Sequence, residues 1–424
     1  MTIFVLIDET DHLIAKSSEC FFAKLMVQDL PKSWTGKVIS EMEDDTKDLE
    51  HLSHRQDSLH LSGILPAALG ITTIKEVLQP QIAKKIFGVD AKSIYLDIDA
   101  YKNRINKIWL CNHTNTALGL ITSMITDIAT ISATLDQVSG ENERVARDIL
   151  CRYLQIYGHI MRDQRQYAEA IVALEEAVSL AECVNNNRLL AVTQLRLGNV
   201  YHDRGDITLA QSKIDIASGD TTGANAKRAS ADADFQAAMN QFARVRGMKK
   251  FSPEIHIALL MGEGNAQARM AHGEKDAIRA SLLLLNQGEK IVANNYLKDS
   301  EGDEYSVFAS SVDVTRRQLQ ISKASALLAA DWPREALQEL TEMLNLPPQG
   351  NMVRMNAYTN FLWAQGYADT GKLDGAALLA QDTLTVMKRI RSEVNIARIR
   401  GLYRQMVSAD SRQIEVIRLG VMLG

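Results

Sequence analysis

Leu197-Gly198-Asn199-Val200-Tyr201-His202-Asp203-Arg204-Gly205-Asp206-Ile207-Thr208-Leu209-Ala210 places a small residue, Gly198, twelve positions ahead of another, Ala210, with Tyr201 and Gly205 between them. The same interval of twelve separates Gly158 from Ala170, forty residues earlier, in a stretch that also carries Tyr157, Tyr167, Leu174 and Ala177. It returns near the C-terminus as Ala324 to Ala336 and, forty residues on, Ala364 to Ala376. Paired small residues at one spacing are what two antiparallel helices need where their backbones approach, while the large residues beside them fill the seam. A glycine or polar turn, as in Asp203-Arg204-Gly205-Asp206 or Asp369-Thr370-Gly371-Lys372, supplies the left-handed residue that ends one helix and reverses the chain. Each unit therefore reads as a helical hairpin. A hairpin cannot bury its apolar face alone, so the units stack into an array with a concave, binding side.

Composition agrees with helix throughout. Only 7 prolines and 24 glycines occur in 424 residues, and hydrophobic residues make up 46% of the chain, so a packed core is expected. A stacked array can run to this length as one unit. The net charge of −5 provides no positive field to hold a polyanion, which disfavours direct nucleic-acid binding. Cys20, Cys111, Cys151 and Cys183 are scattered without a CxxC pair, as reduced thiols are, and read as small buried hydrophobes. The apolar stretch from Leu61 to Ile71 is interrupted by Pro66 and falls short of a membrane span of about 20 residues. A cytoplasmic protein is the resulting expectation.

These residues resemble the tetratricopeptide repeat family. Leu197-Gly198, Tyr201, Gly205 and Ala210 match its pattern in one unit, and Trp363, Tyr367, Gly371 and Ala376 in another. From about Tyr95 to Gly424 the chain is also similar to the helical-repeat half of bacterial regulators that carry an Xre-type helix-turn-helix head. Asp97-Ile98-Asp99-Ala100-Tyr101-Lys102-Asn103-Arg104, Gln155-Ile156-Tyr157-Gly158 and Arg398-Ile399-Arg400-Gly401-Leu402-Tyr403 carry that similarity. The resemblance implies an all-α, right-handed superhelical solenoid of tetratricopeptide-like hairpins with a small irregular N-terminal segment, whose repeats sense a peptide or protein. The head itself is not evident: residues 1–60 open with the strand-like Ile3-Phe4-Val5-Leu6-Ile7 and run into Glu41-Met42-Glu43-Asp44-Asp45, which would repel phosphate.

The expected organisation is an irregular or mixed segment over 1–60, short capping helices over 61–94, and the array over 95–424 with a loop insertion near 218–228. Within the array, the first helix of each hairpin should turn Arg152, Gln155, His159 and Arg162, then Asn199 and His202, then Tyr358, Phe361 and Gln365 toward the groove. Arginines there suit a carboxylate, Asn199 and Gln155 a peptide backbone, and the aromatics an apolar anchor. Solvated or core positions are the plainer reading of the same residues.

Other motif-like strings carry less. Gly262-Glu263-Gly264 lies in an alanine-rich helical pattern after no strand and reads as a packing site, not a phosphate loop. Gly219 to Lys227 lacks the Gly-Lys-Ser/Thr ending of a P-loop, and His51, His54 and His60 lack a closing ligand set. No catalytic constellation, cofactor or metal is expected. The leading function is a protein- or peptide-binding regulatory scaffold. The alternatives are a transcription regulator reaching DNA through an unrecognised N-terminal head, and a structural oligomerisation module that forms a homodimer.

Overall fold

Helix is the only regular structure among the described residues, as the scarcity of proline and glycine predicts. The computed structural model describes residues 73–79, 98–114, 118–135, 137–248, 252–294, 312–346 and 352–424. The chain divides between Ala68 and Leu69, and all the described residues fall in the second unit. The expectations for residues 1–60, for most of 61–94 and for the three N-terminal histidines lie outside them.

In chain order the helices are α1 (Ile74–Val77), α2 (Ile98–Thr114), α3 (Ile121–Leu135), α4 (Glu141–Asp163), α5 (Tyr167–Val184), α6 (Asn187–Ala217) and α7 (Thr221–Gly247). They continue as α8 (Pro253–Met270), α9 (Lys275–Ala293), α10 (Val312–Ala329), α11 (Pro333–Met343), α12 (Val353–Asp369), α13 (Leu373–Arg389), α14 (Glu393–Ala409) and α15 (Ile414–Leu423). From α3 onward each helix packs on the next. The even-numbered helices from α4 to α14 also touch one another in succession, and α14 returns to contact α4 and α6. Residues 118–135, around α3, are long and apolar enough to cross a membrane, but half of that stretch is buried, with Met124, Ile128 and Ile131 inside the core.

One turn recurs between helices. The N–H three residues past a helix end, or two for Asn186, bonds back to a carbonyl five residues earlier: Gln166 to Met161, Asn186 to Ala181, Asp220 to Asp215, Trp332 to Leu327, Lys372 to Tyr367 and Ser392 to Met387. The residue between is left-handed, at φ 60° for Arg165, 54° for Asn185, 58° for Asp331 and 53° for Arg391, with Gly219 and Gly371 filling the same place. The sequence reading anticipated Gly371; the non-glycine cases carry no composition signal. A Cβ at Gly371 meets nothing within 4 Å, so strain alone should govern substitution there. Gly371→Ala is expected to lower unfolding free energy by about 1–2 kcal/mol, while Arg391→Gly is neutral or slightly stabilising, as chemical denaturation would read.

Two expectations are corrected. Gly205 does not end a helix: α6 runs on to Ala217, because Ile207 to Ala210 continue the helix without a breaker. Gly205 instead allows close approach, since a Cβ there would sit 2.9 Å from Phe235 Cε1 and 3.1 Å from the Ala231 carbonyl oxygen. The loop near 218–228 shrinks to a turn at Ser218–Asp220, because the Asp220 carboxylate accepts from the Gly223 N–H and starts α7 at Thr221. The small residues Gly158, Gly198, Gly262 and Gly264 do mark close packing: their Cβ positions would lie within 3 Å of Leu174, Phe242, Phe242 and Leu285 respectively.

Candidate functional site

The inner faces of the even-numbered helices surround a cavity of about 430 Å3, within the range of about 300–1,000 Å3 usual for ligand pockets. Its lining comes from α4, α6, α8, α10, α12 with its N-cap Met352, and α14, and from no odd-numbered helix among the described residues. Of the nine residues the sequence placed in a groove, His159, Arg162, Asn199, His202 and Tyr358 line this cavity together.

The other four lie elsewhere. Arg152 lies about 10 Å nearer the start of α4 than His159, seven residues at about 1.5 Å each, and pairs with Asp148 at 2.5 Å. Gln155 is buried and donates to the Thr193 hydroxyl at 2.7 Å. Phe361 is buried with its ring stacked 6.0 Å from that of Tyr358, and Gln365 is half-buried outside the lining.

Charge in the cavity wall is organised around aspartates of α4 and α6. The Asp163 carboxylate accepts from Arg354 Nη1 at 2.7 Å and from the Ser392 hydroxyl at 2.6 Å. Asp203 accepts from Arg398 at 2.9 Å, and Arg162 Nε approaches its other oxygen at 3.4 Å. Asp206, one turn on, accepts from Arg269 at 2.6 Å and from Arg398 at 3.4 Å. Arg269 continues to the Ser325 hydroxyl at 3.0 Å, Ser325 lies 3.4 Å from the Tyr358 hydroxyl, and the Arg398 guanidinium sits 5.2 Å from the Tyr358 ring centroid. Helices α6, α8, α10, α12 and α14 thus share one polar network.

Burial raises the Asp203 carboxyl, but Arg398 and Arg162 outweigh it and hold the group well below the usual carboxylate range. Asp206 follows the same balance against Arg269 and Arg398, and falls to about 2. Burial, then Arg269, pushes the His202 imidazole down, so it is neutral at pH 7. With His202 neutral, Arg162, Arg269, Arg354 and Arg398 face Asp163, Asp203 and Asp206, four cations against three anions. Arg162 is the member with donors to spare: its guanidinium stands 3.4 Å from Asp203 and donates no hydrogen bond among the described residues. Asn199 stands exposed on the same wall.

The sequence reading missed Asp163, Asp203, Arg354 and Arg398. Asp203 sat in a stretch taken for a turn, and Arg354 reaches Asp163 across 191 residues, a separation that no local pattern spans. Among the described residues no group of three His, Cys, Asp or Glu side chains gathers as for a metal. Cys151 is fully buried and its thiol is pushed up to about 12 by that burial, so it is a poor nucleophile. No family model matches the chain, and no curated protein matches it.

Proposed function

We propose that the chain is a peptide- or protein-binding scaffold of the tetratricopeptide type, a right-handed superhelix of hairpins whose concave side is this cavity, serving as a regulatory sensor. The observation that carries the reading is the alternation of the lining. The lining residues come from one helix of each pair or its N-cap, and the intervening helices contribute none among the described residues. That is the arrangement a stack of hairpins produces when its first helices face a common groove, and exposing such a surface is what stacked arrays are suited to.

The wall suits an extended chain with an acidic group. Arg162 offers a planar fork of N–H donors to a carboxylate, and the excess of one cation is neutralised by such a guest. The Asn199 carboxamide can pair with a backbone amide through both its donor and its acceptor. The Tyr358 ring gives an apolar contact beside them.

Selection from a random peptide library against the intact chain, followed by titration of the enriched peptides, tests this. Loss of a hydrogen bond to a charged group costs about 1.5–3 kcal/mol, so Arg162→Ala should weaken binding roughly 10- to 100-fold. Arg152→Ala, outside the cavity, should leave it unchanged. Peptides that bind both variants alike, or a library that yields none, would remove the cavity from consideration as the site.

A further inference from the structure

The cavity is walled on one side by α4 and α6 and on the other by α12 and α14, and the junction between these pairs differs in kind from the rest of the packing. Apolar side chains of Ile74 to Tyr201 form one hydrophobic cluster and those of Leu282 to Leu423 another, with no residue in common. Among the described residues, hydrogen bonds and ion pairs join α4 and α6 to α12 and α14. Asp163 meets Arg354 and Ser392, Asp203 meets Arg398, and Gln164 Nε2 donates to the Arg391 carbonyl at 2.6 Å. Farther along α6, Arg404 of α14 donates to Gln211 at 3.3 Å.

Two elements held by charge and hydrogen bonds, without shared apolar burial, separate more readily than two halves of a core. The separated charges regain water, whereas separated apolar faces would not. Asp163, Asp203, Arg354 and Arg398 also line the cavity, so a guest and the junction draw on the same side chains. We propose that this polar seam is the gate of the cavity: α4 and α6 part from α12 and α14 to admit a ligand, and occupancy and closure are thermodynamically linked. The gating role rests on the cavity being a ligand site. The parting of the seam does not, and a measurement without ligand detects it.

Spin labels at Gln166→Cys and Arg389→Cys, both exposed positions flanking the Gln164–Arg391 contact, report the seam as a distance distribution by electron double resonance. The labelled chain has its four native cysteines replaced, and circular dichroism verifies that its helix content is retained. At low salt a single short distance is expected. Asp163→Asn, which breaks the ion pair and keeps the side-chain shape, should add a longer population or enlarge it several-fold. Raising NaCl from about 0.01 M to about 1 M, where the screening length falls from about 30 Å to about 3 Å, should do the same in the labelled chain without that substitution. If Asp163→Asn loses helix, the salt series alone decides. One short distance, unmoved by salt and by the substitution while helix content holds, would overturn the gate and leave peptide binding to be judged by the library experiment.

Discussion

Phe242→Ala is expected to lower the free energy of unfolding by about 3–5 kcal/mol, the usual range for emptying a fully buried aromatic site. Phe242 lies on α7 with no exposed surface, and two glycines make room for it: Gly198 on α6 and Gly262 on α8. A Cβ at Gly198 would fall 2.4 Å from Phe242 Cε1, and one at Gly262 would fall 2.7 Å from Cζ. The ring therefore sits where three helices are closest. Gly198→Ala should cost about 1–3 kcal/mol through overpacking, because the ring is hemmed in by its neighbours and cannot yield. Combining Gly198→Ala with Phe242→Leu should cost less than the sum of the two, since the smaller side chain leaves space for the added methyl group. Urea denaturation of the four proteins measures this. Strict additivity would show that the glycines are not there for the ring.

Arg398→Met should be the most damaging change at the cavity wall, at about 2–4 kcal/mol, because it leaves two half-buried carboxylates short of a partner. Asp203 loses its only hydrogen-bonded cation among the described residues, and Asp206 keeps Arg269. The same network sets the acid limit of the fold. Asp203 and Asp206 titrate below their ordinary values in the folded chain, so their stabilisation is fully present above the unfolded value of about 3.9 and is lost as pH falls through the folded value. For Asp206 that window runs from about pH 4 down to about 2. Without Arg398 both carboxyls rise, so acid unfolding of Arg398→Met should begin at higher pH. An acid transition at the same pH in both proteins would contradict the assigned pairing.

Helix pairing was legible in three of the four intervals of twelve, which run from α4 to α5, α10 to α11 and α12 to α13, whereas Gly198 and Ala210 both lie on α6 and form no hairpin. The interval of twelve between small residues located real helix contacts at Gly158 and Gly198, whose Cβ positions abut Leu174 and Phe242. Gly371 likewise marked a left-handed turn. The same local logic misread Gly205, since glycine serves both left-handed turns and close packing, and only the helix beyond it separates the two. Turns at Arg165, Asn185, Asp331 and Arg391 went unseen because their left-handed residues keep side chains, and tertiary packing determines them. At the cavity, residues on one helical face were found together: His159 and Arg162 on α4, Asn199 and His202 on α6. Arg152 shares that face but lies nearer the start of α4, and helical periodicity fixes a direction and not a distance along the axis. The partners that close the wall, Arg354 and Arg398, come from far along the chain and are visible only once α14 returns to α4 and α6.

The most direct measurement of the central claim is photocrosslinking from inside the cavity. A photoreactive phenylalanine analogue at Asn199, on the cavity wall, is compared with one at Arg279, on the exposed side of α9, each with a library-selected peptide. The account predicts that the peptide is captured from position 199 and not from 279, and that excess unlabelled peptide abolishes the capture. Equal capture from both positions, or capture from 279 alone, would contradict binding in the cavity.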